Sequence, residues 1–140
     1  MLLQPIATLL KTGITDLRKV AGAANFAAAQ ADLTAMPAAY VVPGGSNAQP
    51  NALLGYSVSQ KVVEYFDVIL AVDNKRDVRG DAVNAPLETL RTAVLATLLG
   101  TQPAANYDPV TLVSESLLML DVTTMWWQMR FATGYFETKN

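Results

Sequence analysis

The sequence contains no cysteine and no histidine, and these two absences exclude most of the common kinds of active site. Without cysteine the chain cannot form a disulfide, a thiolate nucleophile, or a Cys-ligated zinc or iron–sulfur centre. Without histidine it lacks the most frequent general base and the most frequent metal ligand of proteins. The sequence therefore favours a function that depends on binding surfaces over one that depends on catalysis.

Charged residues are also scarce. They make up 16% of the 140 residues, whereas about 25% is usual in a soluble domain. The ten basic residues are scattered along the chain, and the formal net charge is −2. A groove that follows a phosphate backbone needs clustered lysine and arginine, so we do not expect nucleic-acid binding. The low charge instead indicates that partners cover part of the surface.

Long apolar runs are missing as well. None approaches the roughly 18 residues that would span a bilayer, and the first residues lack the features of a signal peptide. Hydrophobic residues nevertheless form 51% of the chain, which indicates a folded protein with a substantial core. We expect one domain over residues 1–140, soluble and made in a cytoplasm, with no membrane contact.

The clearest structural signal lies between Val62 and Gly100. An alternating apolar run predicts a strand, the charged segment after it predicts an exposed loop, and an amphipathic segment predicts a helix. The helix has Pro86 in its first turn, where a missing N–H costs nothing, and Gly100 as its stop. Its buried stripe is predicted to consist of Leu87, Leu90, Val94 and Leu98.

The rest of the chain is predicted to supply two more helices and four more strands. Asn25 is expected to cap the second helix, because its side chain can accept hydrogen bonds from the first backbone N–H groups. Helices are predicted over residues 3–12, 26–34 and 84–99. Strands are predicted over residues 16–21, 38–42, 53–73, 110–120 and 124–136, followed by a polar, frayed tail.

This order of elements favours an α+β fold, in which one twisted and mainly antiparallel β-sheet has helices packed on one face, in two layers. Alternation along the longest strand places Val68 and Leu70 on the covered face. The other face is expected to be exposed and to carry Tyr65, Ile69 and Trp126. An apolar patch of that kind often marks an interface.

The charged loop after the longest strand is the first candidate site. Its acids Asp73, Asp77 and Asp81 recur every fourth residue, whereas a calcium-binding loop needs acids at alternate positions and a final glutamate. Basic residues interleave with these acids, which favours a solvated or partner-facing loop whose charges pair across subunits. The tripeptide Arg79-Gly80-Asp81 matches a cell-adhesion motif, but a turn before the helix cap is the better interpretation.

Other candidate motifs are incomplete. Gly44-Gly45-Ser46 lacks the lysine of a phosphate-binding loop, and the segment from Pro43 to Asn51 is predicted to be a mobile loop. Glu64 and Asp67 could in principle act as acid and base, but neighbouring polar residues on a strand usually face solvent. The serine motif and the histidine partner of a nucleophile elbow are absent. We therefore predict no enzymatic activity and no cofactor.

The dipeptide Trp126-Trp127 is the most unusual feature of the last strand. Neighbouring residues on a strand point to opposite faces, so the two rings are expected to lie apart. Either one ring lies in the core and the other is half-buried, or one of them anchors an interface, where tryptophan is enriched. The sequence is compatible with both interpretations.

Three segments of the chain resemble the tail terminator proteins of long-tailed bacteriophages, of the lambda type. The first is the aromatic strand that runs into an Asn-Lys-Arg-Asp loop, from Phe66 to Gly80. The second is the helix that begins at Leu87 and ends at Gly100. The third is Leu118-Met119-Leu120-Asp121 followed by Trp126-Trp127-Gln128. The size and the order of elements match over nearly the whole chain, and none of these motifs is catalytic.

The resemblance implies a structural protein of the virion. Proteins of this kind form a hexameric ring that caps the tail tube, ends its polymerisation and provides a docking surface for the head connector. The implied partners are further copies of the chain, the tail tube protein and the head–tail connector, and DNA passes through the lumen without specific binding. The alternatives are another neck or tail-completion subunit, or a small ligand-binding or enzyme domain.

Within such a ring we expect the charged loop to form a subunit interface or a tail-tube interface. The glycine-rich segment from Pro43 to Asn51 is expected to become ordered on docking. The predicted interface residues are Lys75, Arg76, Asp77, Arg79, Asp81 and Trp126.

Overall fold

The computed structural model describes residues 3–31, 35–73 and 85–140. The order of helices and strands is the predicted one. The helices are α1 (Leu3–Gly13), α2 (Ala23–Ala31) and α3 (Ala85–Leu98). The strands are β1 (Lys19–Ala21), β2 (Ala38–Ala48), β3 (Val58–Asp73), β4 (Thr111–Leu120) and β5 (Thr124–Lys139). None of the helices in these ranges is long and apolar enough to cross a bilayer.

The strands form one sheet with the order β1-β2-β3-β5-β4. β1 and β2 run parallel, and the other three pairings are antiparallel. The longest pairing joins β3 to β5, from Val58 opposite Lys139 to Asp73 opposite Thr124. The predicted α+β class with a mainly antiparallel sheet is confirmed. The prediction that the C-terminal tail is frayed is wrong, because β5 stays paired with β3 as far as Lys139.

The main core lies on one face of the sheet, here called face A, which carries Val68 and Leu70 of β3. α1 and α3 pack on this face and bury Leu10 and Val94 against it. Full burial of one such side chain contributes about 1.5–3 kcal/mol to folding, so these contacts fix both helices. The predicted stripe of α3 is confirmed, since all four of its residues are buried.

The remaining helix, α2, packs on the opposite face, here called face B. Phe26 of α2 lies 5.7 Å from the ring of Tyr40 and 5.7 Å from that of Trp126. Trp126 is only 1% exposed, and Ile69 is also buried there. The helices therefore do not share one face. The expectation that Trp126 and Ile69 lie on an exposed face is wrong, because the small residues of α2 let it lie close on the sheet and cover them.

The segment from Pro43 to Asn51 is predicted to be a mobile loop, but most of it, up to Ala48, is the second half of β2. A bulge places Gly44 and Gly45 opposite Tyr65, between the pairs Pro43–Phe66 and Ser46–Glu64. A Cβ on Gly44 would lie 3.1 Å from the Tyr65 backbone, and Gly45 has φ +89°. The bulge therefore requires glycine at these positions. The glycine-rich composition that is typical of a loop here belongs to a bent strand.

Several predicted boundaries shift. α2 begins before Asn25, since the Phe26 N–H donates to the Gly22 carbonyl at 3.0 Å, and Asn25 is therefore inside the helix rather than its cap. β1 is shorter than predicted, and β3 begins at Val58 rather than at residue 53. Gly100 ends α3 as predicted, with φ +78°. The conformation is one that glycine adopts without a steric penalty.

Candidate functional site

The outermost strand, β4, presents the first candidate surface, here called the β4 edge (Thr111–Leu120). It is the last strand of the sheet order, and in the described part of the chain no strand pairs with its outer side. Four of its large apolar side chains are exposed: Val113, Leu117, Leu118 and Leu120. An unpaired and apolar edge strand is a ready template for pairing with another chain.

The single charge of the β4 edge is turned inward. Glu115 accepts hydrogen bonds from Arg91 of α3 at 2.6 and 2.7 Å, and from the indole N–H of Trp127 at 3.1 Å. The guanidinium of Arg91, and to a smaller extent Trp127, lowers the pKa of Glu115. The same contact raises the pKa of Arg91. Natural edges are commonly protected by outward charges, and this edge has none.

The turn after β4 holds the end of that strand in place. One carboxylate oxygen of Asp121 accepts from the backbone N–H of Thr123 at 2.9 Å and of Thr124 at 2.7 Å. These backbone hydrogen bonds lower the pKa of Asp121. The turn confirms the predicted tight connection and leaves Val122 exposed at its tip.

The second candidate surface, here called the hairpin arm, comprises residues 43–60. It consists of the end of β2, the connection between the two strands and the start of β3. Its tip carries Leu54 and Tyr56, which are 97% and 103% exposed. Asn51 organises the tip: its side-chain oxygen accepts from the N–H groups of Leu53 and Ser59, and its amide donates to Ser57. A hydrogen-bonded turn therefore keeps two large apolar side chains exposed to solvent, which is typical of a contact surface.

The base of the hairpin arm is fixed to the rest of the sheet. Lys61 forms an ion pair with Asp108 and lies 4.9 Å from the centre of the Phe136 ring. A Cβ on Gly134 would lie 2.9 Å from the Asp108 carboxylate and 3.0 Å from the Lys61 stem. Glycine at this position leaves room for the ion pair to lie beside β5.

Glu64 and Asp67, the two carboxylates that could in principle act as acid and base, do not meet. Glu64 lies on face A and Asp67 on face B, and each is 6% exposed, so the expectation that they face solvent is wrong. Arg130, directly opposite Asp67 in the sheet, binds it through two hydrogen bonds of 2.9 and 3.1 Å. This contact raises the pKa of Arg130. The negative charge of Asp67 is thus paired with Arg130 within the chain.

Glu64 instead lies near two tyrosines. The rings of Tyr107 and Tyr135 are 5.0 Å apart. Burial raises the pKa of both hydroxyls, and the negative charges of Glu64 and Glu137 raise the two pKa values further. Tyrosines with raised pKa values stay neutral at physiological pH and supply no base.

Two larger cavities lie among the described residues. A cavity of about 680 Å³ between the C-terminal end of β3 and the start of α3 is lined by residues that include Asp16, Arg18 and Asp73. A second one, of about 400 Å³, lies beside α1 and is mainly apolar. Among the described residues, no three histidine, cysteine, aspartate or glutamate side chains are grouped so that they could hold a metal ion.

The residues predicted to form the interface divide into two groups. Lys75, Arg76, Asp77, Arg79 and Asp81 lie outside the described residues. Trp126 lies in the core under α2, so the interpretation of this ring as an interface anchor is wrong for the folded chain, and the core interpretation holds.

The β4 edge and the tip of the hairpin arm were not predicted from the sequence, although the neighbouring segment from Pro43 to Asn51 was expected to take part in docking. The signal for the β4 edge was an almost uninterrupted apolar run, Leu117-Leu118-Met119-Leu120, on a strand with a single charge. The signal for the tip was the apolar group Leu53-Leu54 beside turn-forming residues, where a loop is normally polar.

A family model described as "Phage tail terminator protein" matches residues 1–140, which is the whole chain. A search of curated proteins found no match.

Proposed function

Because the chain belongs to the phage tail terminator family, we propose that its copies close into a ring, of six subunits, that caps the tail tube. Membership of this family makes the chain a structural component of the phage tail and of the virion. In the proposed role, the ring ends polymerisation of the tube at its head-proximal end. The opposite side of the ring then offers a docking surface to the head connector.

The observation that carries this proposal is the unpaired, apolar β4 edge. A ring uses head-to-tail contacts, in which one surface of each subunit binds a different surface of the next. The β4 edge lies along the side of the sheet, where a neighbour in a ring would sit. Its exposed leucines supply the apolar area that such a contact must bury.

The hairpin arm supports a contact in a different direction. The tip lies beyond the ends of β3 and β5, so it projects along the strands rather than across them. We place Leu54 and Tyr56 at the contact with a partner stacked on the ring, either the tail tube protein or the connector. Tyrosine is enriched at the centres of binding surfaces because it combines a large apolar area with a hydroxyl group.

The charge of the chain fits a channel for DNA. With a net charge of −2 and scattered basic residues, the chain offers no clustered cations to hold a phosphate backbone. A ring wall of this composition lets DNA pass without specific binding.

Electron microscopy of the protein mixed with purified tail tubes tests the proposal. We expect density capping one end of each tube, and tubes that no longer elongate when tube protein is added. Binding along the sides of the tubes, or none, would contradict the proposal. Binding at the neck without an effect on elongation would favour another neck or tail-completion subunit.

Light scattering coupled to gel filtration gives the subunit number. Six copies of the 15.0 kDa chain make a ring of about 90 kDa. Some rings assemble only when their subunits bind the tube. The mass is therefore measured both for the free protein and for protein released from capped tubes. A released particle of another size would change the stoichiometry but not the capping role.

A further inference from the structure

The side of the sheet opposite the β4 edge carries an apolar groove. β1 is the last strand there, with α1 beside it on face A and α2 on face B. The cavity of about 400 Å³ lies on this side, between α1 and the connection from β1 into α2. Its lining is mainly apolar and includes Ala23, Val41 and Pro43. This cavity is here called the β1 groove.

The β1 groove and the first bulge of β4 lie at the same level of the sheet. Across the sheet, the pairing registers align Val41 with Glu115 and Pro43 with Leu112. Val113 lies between those two β4 residues, has no partner in the register with β5, and is 49% exposed. This level is close to the middle of β3, so the twist of the sheet, which turns the strands about that middle, leaves the match in place.

A match of charge lies nearer the end of β4. Lys19 of β1 is exposed, and among the described residues it forms no salt bridge. The registers align Lys19 with Met119, two positions before Asp121. The lowered pKa of Asp121 keeps its carboxylate charged at neutral pH, and the largely exposed Glu88 adds a second negative charge on that side. The two sides of the sheet therefore present opposite charges at the same end.

The proposed ring brings these two sides together. The hairpin arms project along the strands towards a stacked partner, so the strands of each subunit run close to the ring axis. Rotation about such an axis keeps each level of the sheet at its height and places the β1 side of one copy beside the β4 edge of the next. Because β1 is only three residues long, side-chain contacts rather than strand pairing are expected there.

We propose that the β4 edge of each subunit docks on the β1 side of the next, with Val113 seated in the β1 groove and Asp121 facing Lys19. This inference rests on the proposed ring and names the two surfaces that join its subunits. The occupant of the groove is a second copy of this chain. Because the two surfaces differ, the contact is head-to-tail and can close a ring.

Filling the β1 groove tests the seat of Val113. Ala23 lines the groove and is exposed, so Ala23→Trp should leave the melting temperature of the monomer nearly unchanged while abolishing rings and tail capping. Ala28→Trp, at another exposed position of the same helix that does not line the groove, is the matched control and is expected to assemble normally. Loss of assembly in both variants, or in neither, would overturn the assignment of the groove.

The absence of cysteine from the chain allows the contact to be mapped by cross-linking. Ser114→Cys marks the β4 edge beside Val113, and Thr8→Cys marks the wall that α1 gives to the groove; both positions are exposed. Tail ends assembled from the double variant are treated with a series of bismaleimides of increasing span. We expect a denaturing gel to show a ladder from dimer to the complete ring. A mixture of the two single variants is expected to give dimers only.

Each single variant alone serves as the control for symmetry. Cross-linking of Ser114→Cys with itself would show a two-fold contact of β4 with β4 and would overturn the inference. Rings that are visible by microscopy but give no ladder would also overturn it, while leaving the proposed function intact. If neither rings nor capped tubes form with the unmodified protein, the proposed function fails and this inference fails with it.

Reversal of the charge at Lys19 tests the second match. Lys19→Glu is expected to raise several-fold the protein concentration that caps half of the tail tubes at low salt. The difference from the unmodified protein should shrink at high salt, because exposed charges are screened. Lys139→Glu changes the net charge equally and is expected to cap normally. Equal effects of the two reversals would contradict the placement of Lys19 opposite Asp121.

Discussion

The guanidinium of Arg91 and the carboxylate of Glu115 meet through two hydrogen bonds of 2.6 and 2.7 Å, and this pair ties α3 to the outermost strand of the sheet. Trp127 completes the site by donating to the same carboxylate. The pair has two consequences. It fixes the helix on face A, and it removes from β4 the only charge that could face outward.

Glu115→Gln is expected to lower the free energy of unfolding by about 1–3 kcal/mol near neutral pH, because hydrogen bonds to a charged group are lost. Urea denaturation measures the change. Glu88→Gln is the matched control, since Glu88 lies 3.5 Å from the same arginine but is largely exposed. Its expected effect is below about 1 kcal/mol. Equal losses in the two variants would contradict the structural role of Glu115.

The stability should also depend on pH through this residue. The folded-state pKa of Glu115 is lowered by Arg91, so its contribution is fully present above the ordinary glutamate pKa of about 4.3. It is lost as the pH falls further, through the lowered folded-state value, because the unfolded chain then binds more protons. Urea midpoints measured from pH 7 downward should fall less steeply for Glu115→Gln than for the unmodified protein.

Gly45→Ala is expected to destabilise the fold by about 1–2 kcal/mol, the cost of a left-handed conformation for a residue with a Cβ. No atom lies within 4 Å of the added Cβ, so the cost is conformational rather than a clash. Gly45→Asn, which tolerates this conformation better, should lose less. Thermal unfolding compares the two variants. Equal stability of Gly45→Ala and the unmodified protein would contradict the bulge geometry.

Trp126→Ala is expected to cost about 3–5 kcal/mol, because it leaves a cavity between α2 and the sheet. Trp126→Phe should cost less, since the ring contact with Phe26 is partly kept. Chemical denaturation of the monomer gives both values. A stable Trp126→Ala monomer that fails to assemble would instead restore the interpretation of this residue as an interface anchor.

The combined change Leu54→Ser and Tyr56→Ser tests the tip of the hairpin arm. Both side chains are fully exposed, so stability should change by less than about 0.5 kcal/mol. Tail capping should be lost, as measured by electron microscopy and by the yield of infectious particles. Leu99→Ser, at another exposed apolar position, is the control expected to cap normally. Normal capping by the double variant would show that the tip makes no essential contact.

The charged loop remains a predicted contact surface. Reversal of charge at Arg76 and Arg79 to glutamate is expected to impair ring formation or tail capping, because these residues are predicted to pair with acids of a neighbour. The same reversal at Lys11 and Lys139, which changes the net charge equally, should be tolerated. If the Arg76 and Arg79 variant forms rings and infectious particles normally, the loop is not an interface.

Local patterns predicted most of the elements. The α3 stripe, the stop at Gly100 and the turn at Asp121 were predictable because each depends on residues a few positions apart. The bulge at Gly44 was not predictable, because its requirement for glycine comes from the backbone of Tyr65 on another strand. The same composition fits a flexible loop and a tightly paired bend, and only the partner strand distinguishes them.

The sequence by itself determined that this chain lacks the side chains of most catalytic sites, that it folds as α+β, and which residues of each strand share a face. These properties follow from composition and from short-range periodicity. The tertiary structure alone decided which faces and edges stay open. It placed α2 over Trp126, turned Glu115 inward to Arg91, and left the β4 edge without an outward charge and, among the described residues, without a strand on its outer side. Exposure depends on what packs against a residue, and that is set by contacts between segments far apart in the chain.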